Sequence, residues 1–241
     1  DLNCDLGEGA GHDAELMPLI SSANIACGAH AGDEATMRAT VKLALKHGVL
    51  IGAHPGFPDR ENFGRKELAA SAHEIHGWVL AQTQRLLGIA GDCGARVRHV
   101  KPHGALYNLA ARDAGVAQAV AEAVYEADPR LLLIGLAGSR LIDAGATCGL
   151  NTMNEVFADR TYQPDGSLTP RARPDAVIRD EAAAVAQVLR MIREGRVIAT
   201  DGSEVEIKPD TICLHGDGPR AMAFAQAVNM ALRAANVTIR A

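Results

Sequence analysis

Four of the nine histidines in this 241-residue chain stand where an apolar run gives way to Gly or Pro. His30 lies in Cys27-Gly28-Ala29-His30-Ala31-Gly32-Asp33, His54 in His54-Pro55, His103 in Lys101-Pro102-His103-Gly104, and His215 in His215-Gly216-Asp217-Gly218. Polar residues collect at the same kind of place: Asn3, Asp5 and Glu8 early, Asp59, Arg60 and Arg65 after His54-Pro55, and Glu155, Asp159 and Arg160 later. Imidazoles titrate near neutral pH and carboxylates direct water, so the set suits general acid–base work at a hydrolysed bond. Asp5, Glu8, His30, His54, Lys101, His103, Glu155, Asp159, His215 and Asp217 are therefore the catalytic candidates. Asn3, Arg65 and Arg160 are the candidates for substrate contact. Asp5, His30 and His54 could also hold a divalent metal, but their spacing follows no standard ligand rule and the question stays open.

Each residue has a plainer reading. Asp33 suits a helix cap. His99, inside an apolar run, reads as structural, and His12, His47, His73 and His76 read as surface or helix residues. Lys101 ends an apolar run where an unpaired ammonium is costly, so a carboxylate or an anionic ligand is expected beside it. No GxSxG elbow, HExxH pair or Walker A sequence is present. Gly7-Glu8-Gly9-Ala10-Gly11 could turn amides toward a phosphate, but Glu8 repels anions unless a metal intervenes.

Convergence of these residues requires a frame. Strand-like runs fall at 1–4, 22–26, 49–53, 97–100, 131–136, 150–156 and 211–214, several of them apolar throughout as parallel strands covered on both faces should be. Helices fit between them. Asp33 can cap one that runs to His47 and stops at Gly48, with Met37, Val41, Ala44 and Leu45 on its inner face. Ser71 and Glu74 form a capping box for the next, Asp113 starts a third that ends before Asp128-Pro129, and Asp180 starts a fourth that ends at Gly195. Alternating βα units give either a closed barrel or an open doubly wound sheet. Polar candidates after nearly every strand favour an irregular (β/α) barrel of about seven strands, because an open sheet concentrates its site at one switch point. The stretch 197–209, centred on Asp201-Gly202, reads as an inserted hairpin.

Composition sets the outer limits. One α/β-barrel domain over 1–241 fits the length. The net charge of −5 argues against a nucleic-acid backbone binder, and no basic run suggests a membrane surface. The longest apolar stretch, 131–138, is too short to span a bilayer. Five cysteines without a CxxC pair suggest a reducing compartment, and with no signal peptide visible the expected location is cytoplasmic. The first residues already read as the end of a strand, so residues upstream are expected.

Longer motifs are similar to a known family. They include Asp1-Leu2-Asn3-Cys4-Asp5-Leu6-Gly7-Glu8, SSANIACGAH with Ala31-Gly32-Asp33, and Gly52-Ala53-His54-Pro55. They continue with Phe57-Pro58-Asp59-Arg60, Phe63-Gly64-Arg65 and Arg98-His99-Val100-Lys101-Pro102-His103-Gly104-Ala105-Leu106-Tyr107. Glu155-Val156-Phe157-Ala158-Asp159-Arg160 and Cys213-Leu214-His215-Gly216-Asp217-Gly218 complete the set. In order and over essentially the whole chain, they resemble the LamB/YcsF family, the A subunits of bacterial 5-oxoprolinase. The resemblance implies a barrel related to glycoside hydrolase/deacetylase folds. It also implies ATP-dependent opening of the 5-oxo-L-proline lactam to L-glutamate, with ATP cleaved to ADP and phosphate, and two necessary partner subunits, B and C. Cys4, Ala29 and Gly56 depart from the residues associated with the family, which bears on substrate fit rather than on class.

That activity gives the candidates roles. A five-membered lactam is a stabilised amide, and phosphorylating its oxygen would make it a good electrophile for water. Lys101, Arg160 and Arg65 are candidates to hold the carboxylate and phosphate; Asp5, His54 or His215 could be the base. Which of the three polypeptides holds ATP is not written in this chain. Two other readings remain: a metal-dependent amide or sugar deacetylase acting without ATP, and a non-catalytic substrate-binding subunit.

Overall fold

The computed structural model describes residues 1–214 and 221–240. Its strands are β1 (Leu2–Leu6), β2 (Ser22–Ala26), β3 (Leu50–His54), β4 (Val97–Val100), β5 (Leu132–Leu136), β6 (Asn151–Phe157), β7 (Arg196–Ile198), β8 (Glu204–Glu206) and β9 (Thr211–Leu214). Between them run α1 (Asp13–Leu16), α2 (Glu34–His47), α3 (Ala72–Asp92), α4 (Gly104–Arg112), α5 (Ala114–Ala127), α6 (Arg140–Thr147), α7 (Glu181–Glu194) and, last, α8 (Ala221–Ala234). Seven parallel strands close a barrel in the order β1-β2-β3-β4-β5-β6-β9. The expected barrel is therefore present, and so is the hairpin: β7 and β8 pair antiparallel with Val197 opposite Val205.

The helix starts follow the local chemistry. Asp33 accepts from the Thr36 amide, Asp113 from that of Val116 and Asp180 from that of Ala183. Ser71 and Glu74 complete the reciprocal capping box. Each cap satisfies a donor that the first helical turn leaves without a partner, a contribution of about 1 kcal/mol. One expectation is corrected: on α2, Met37, Val41 and Ala44 are buried, but Leu45 is 46% exposed. The inner stripe is narrower than the apolar pattern suggested, and Leu45 lies beyond its edge. Helices α1, α4, α6 and α8 were not anticipated. Among the described residues no helix is long and apolar enough to cross a membrane.

The barrel interior departs from the usual filling of branched aliphatic side chains. Along β1, Leu2, Cys4 and Leu6 join the apolar core, while Asn3 and Asp5 meet polar groups of other strands. Asn3 donates to Glu155 (3.0 Å) and Thr211 (2.7 Å), and Asn24 donates to Asn3 (2.7 Å) and Asp5 (2.8 Å). His99 Nε2 donates to Asn24 Oδ1 at 2.7 Å. A Cβ on Gly52 would overlap the His99 ring, so the bare backbone of β3 is what lets that ring cross the barrel. The β3–β4 register shifts beside it, between Ile51 and Gly52. His99 is structural, as its place inside a strand suggested, and burial lowers its pKa to about 3.

Candidate functional site

Lys101 follows directly on β4, and its Nζ reaches back into the barrel. It lies 2.8 Å from Glu155 Oε1 and 2.9 Å from Asp5 Oδ1, with Cys213 Sγ at 3.1 Å. The carboxylate that an apolar strand end demanded is supplied twice over. Burial opposes the charge on Lys101, but Asp5, Cys213 and Glu155 outweigh it and hold the pKa well above the ordinary lysine value. Asn3 and Glu155 are fully buried in this network, beneath the cavity rather than on its wall.

Above Lys101 the imidazoles converge. His54 Nδ1 lies 2.7 Å from the Lys101 carbonyl, and His103 Nε2 lies 2.9 Å from the Phe63 carbonyl. A carbonyl only accepts, so both of those nitrogens carry hydrogen and fix the tautomers. The other nitrogens, His54 Nε2 and His103 Nδ1, face each other at 3.0 Å. Asp5 Oδ2 is 3.3 Å from the first and Glu8 Oε1 3.3 Å from the second. His30 stacks on His103, centroids 3.8 Å apart, with its Nε2 3.4 Å from Glu8 Oε1. Burial lowers the pKa of His30 to about 4 and also lowers that of His103. His54 moves the other way, because Asp5 more than offsets its burial.

The segment between β3 and α3 holds these rings in place. A Cβ on Gly56 would come within 2.8 Å of His30 Nδ1, and one on Gly64 within 2.9 Å of His30 Cβ. Phe63 takes a left-handed φ of 55°, which costs a side-chain-bearing residue of order 1–3 kcal/mol, and presents its carbonyl to His103.

Asp5, Glu8, His54, Lys101 and His103 line a narrow recess of about 40 Å³, together with Tyr107, Phe157 and the arginines 65, 160 and 171. That suits a few waters, not an organic ring. Arg65, Arg160 and Arg171 are shared with a wider cavity of about 700 Å³, whose wall adds Arg112, Gln163 and Thr169. Arg160 is 3% exposed, and its guanidinium donates to the carbonyls of Thr169 (2.6 Å) and Ala176 (3.2 Å). No carboxylate of the described residues forms an ion pair with it. Burial, then Arg171, lowers its pKa to about 10 despite the nearby Asp159.

The structure thus gathers Asp5, Glu8, His30, His54, Lys101, His103 and Glu155 at one end of the barrel, with Arg65 and Arg160 on the cavity wall. Asp159 is half-buried beside Arg160 and does not line the recess. His215 and Asp217 lie outside the described residues. Sequence reasoning missed Asn24, Phe63, Tyr107 and Arg171. Asn24 left a signal, a lone amide in the apolar strand Ser-Ala-Asn-Ile-Ala.

A parallel (β/α) barrel with buried acids, imidazoles and cations at the strand ends defines a hydrolase-like barrel protein. The chain belongs to the LamB/YcsF family, whose model matches residues 1–241. It is 53% identical over 245 residues to the 5-oxoprolinase A chain of Geobacillus kaustophilus (strain HTA426), covering 100% of this chain and 96% of that one. It is 51% identical over 246 residues to the 5-oxoprolinase A chain of Bacillus subtilis (strain 168), with the same coverage. The lactam utilization protein of Thermus thermophilus superposes with a TM-score of 0.94 at 46% identity, covering 100% of this chain and 98% of that one.

Proposed function

We propose that this chain is the A component of an ATP-dependent 5-oxoprolinase, opening the lactam of 5-oxo-L-proline to L-glutamate together with subunits B and C. The observation that carries the reading is Arg160. It is a buried cation without an ionic partner among the described residues, on the wall that joins the wide cavity to the acid and histidine recess. A small cyclic amide bearing a carboxylate fits that division. Its carboxylate meets Arg160, its ring occupies the wide cavity, and its carbonyl faces the recess. The recess has room for water beside Asp5, which takes the proton as water adds. ATP cleavage by the assembled complex makes the stabilised amide electrophilic. Full-length identity above 50% to proteins named for this activity supports the same assignment.

The test is an assay of A, B and C, separately and mixed, on 5-oxoproline with ATP. The mixture is expected to turn over and the lone chain to be nearly silent. Arg160→Lys in the mixture should raise KM at least tenfold, since a charge-assisted contact contributes roughly 1.5–3 kcal/mol and ~1.4 kcal/mol is tenfold. Brisk ATP-independent turnover of an amide by the lone chain would instead establish a metal-dependent amidase, the reading that the histidine cluster favours.

A further inference from the structure

Glu8, His30, His54 and His103 pose a problem that their own hydrogen bonds do not solve. The tautomers of His54 and His103 are set from behind, by the carbonyls of Lys101 and Phe63. In the neutral rings, two nitrogen lone pairs therefore point at one another across 3.0 Å, with the Glu8 carboxylate beside them. Like poles do not gather in a buried place unless something positive lies between them. Glu8 Oε1 and both nitrogens of His30 are buried, and their contacts with one another and with His103, at 3.3–3.4 Å, lack the alignment of a hydrogen bond. Four donors, three of them imidazoles, thus turn toward one small volume.

We propose that these four residues form a divalent-metal site of the zinc class. Their ligand atoms all lie within 4.8 Å of one another. Neighbouring separations run from 3.0 Å (His54 to His103) through 3.3 Å (Glu8 to His103) and 3.4 Å (Glu8 to His30) to 3.9 Å (Glu8 to His54). A tetrahedron with bonds of about 2.0–2.1 Å has edges of about 3.4 Å, which the separations around Glu8 and between His54 and His103 approach, and His30 completes the set by turning off its stack on His103. Imidazole nitrogen with one carboxylate suits Zn²⁺ or Co²⁺ better than Mg²⁺ or Ca²⁺, which prefer oxygen shells. The carbonyls behind His54 and His103 are the outer partners that metal-binding histidines commonly have. Glu8, His54 and His103 also line the recess, so the ion faces the cavity. This assignment goes beyond the lactam reading and does not depend on it.

The experiment reads binding directly. Untagged protein, stripped with a chelator and dialysed at neutral pH, is titrated with Co²⁺ by visible absorption and with Zn²⁺ by calorimetry. One equivalent per chain is expected, with cobalt bands that zinc abolishes. Glu8→Gln and His30→Ala, checked for folding by circular dichroism, should each weaken binding at least tenfold, whereas His76→Ala outside the cluster should not. Absence of both heat and cobalt bands at about 0.1 mM metal would overturn the proposal and leave a shared proton between His54 and His103. Equal binding by wild type and both cluster variants would overturn it too, placing the metal elsewhere. Neither result bears on whether the complex hydrolyses 5-oxoproline.

Discussion

Lys101 shows how much a single side chain can be asked to do. With Asp5 and Glu155 at 2.9 and 2.8 Å, it pairs with two carboxylates in the barrel interior. Deleting one member of a buried ionic set strands the others, at about 3–5 kcal/mol. Lys101→Met should therefore lower the urea midpoint sharply, and Lys101→Met/Glu155→Gln should recover part of the loss. A midpoint unchanged in the single variant would mean that the network holds nothing together. The sequence made Lys101's need for a partner legible, because a cation at the end of Val97–Val100 cannot stand alone. Which acid answers was not legible, since Glu155 is 54 positions away and only barrel closure brings it near. The orientation of the imidazoles was hidden for the same reason: the carbonyl of Phe63 reaches His103 from 40 positions away.

At the level of elements, β3 and β4 are fitted to each other through Gly52 and His99. Gly52→Ala places a methyl inside the His99 ring, against the same Nε2 that Asn24 holds. Overpacking of this kind costs typically 1–3 kcal/mol, and thermal unfolding should show it without any change in secondary structure. His99 also makes the barrel acid-sensitive. Its folded pKa is about 3 against about 6.5 unfolded. Between those values the unfolded chain binds the extra proton, so the contribution is intact above pH ~6.5 and fades as pH falls toward 3, by up to ~1.4 kcal/mol per unit. Denaturant midpoints from pH 4 to 6 should thus fall less steeply in His99→Gln; parallel slopes would count against it. Element boundaries were readable where a cap announced them, at Asp33, Ser71, Asp113 and Asp180. They were not readable at α4, which starts at Gly104 straight from the His103 strand exit.

For the molecule as a whole, the ring closes late. β9 is wedged between β1 and β6, with Leu2 opposite Ile212 and Val156 opposite the same residue. A chain ended after residue 210 lacks β9, and both flanking strands keep bare backbone edges that invite pairing with other chains. Such a truncation should aggregate and exchange its β1 amides rapidly, whereas the full chain should protect them; protected β1 amides in the truncated form would refute this. During synthesis the same geometry sets an order of events. β1 leaves the ribosome before the other strands of the ring, yet its second neighbour, β9, is made some two hundred residues later. At about 5–20 residues per second, the nascent chain must keep that edge from strangers for ten seconds or more. Slow translation of the codons before Thr211 would lengthen that wait, so those codons bear on the yield of closed barrels.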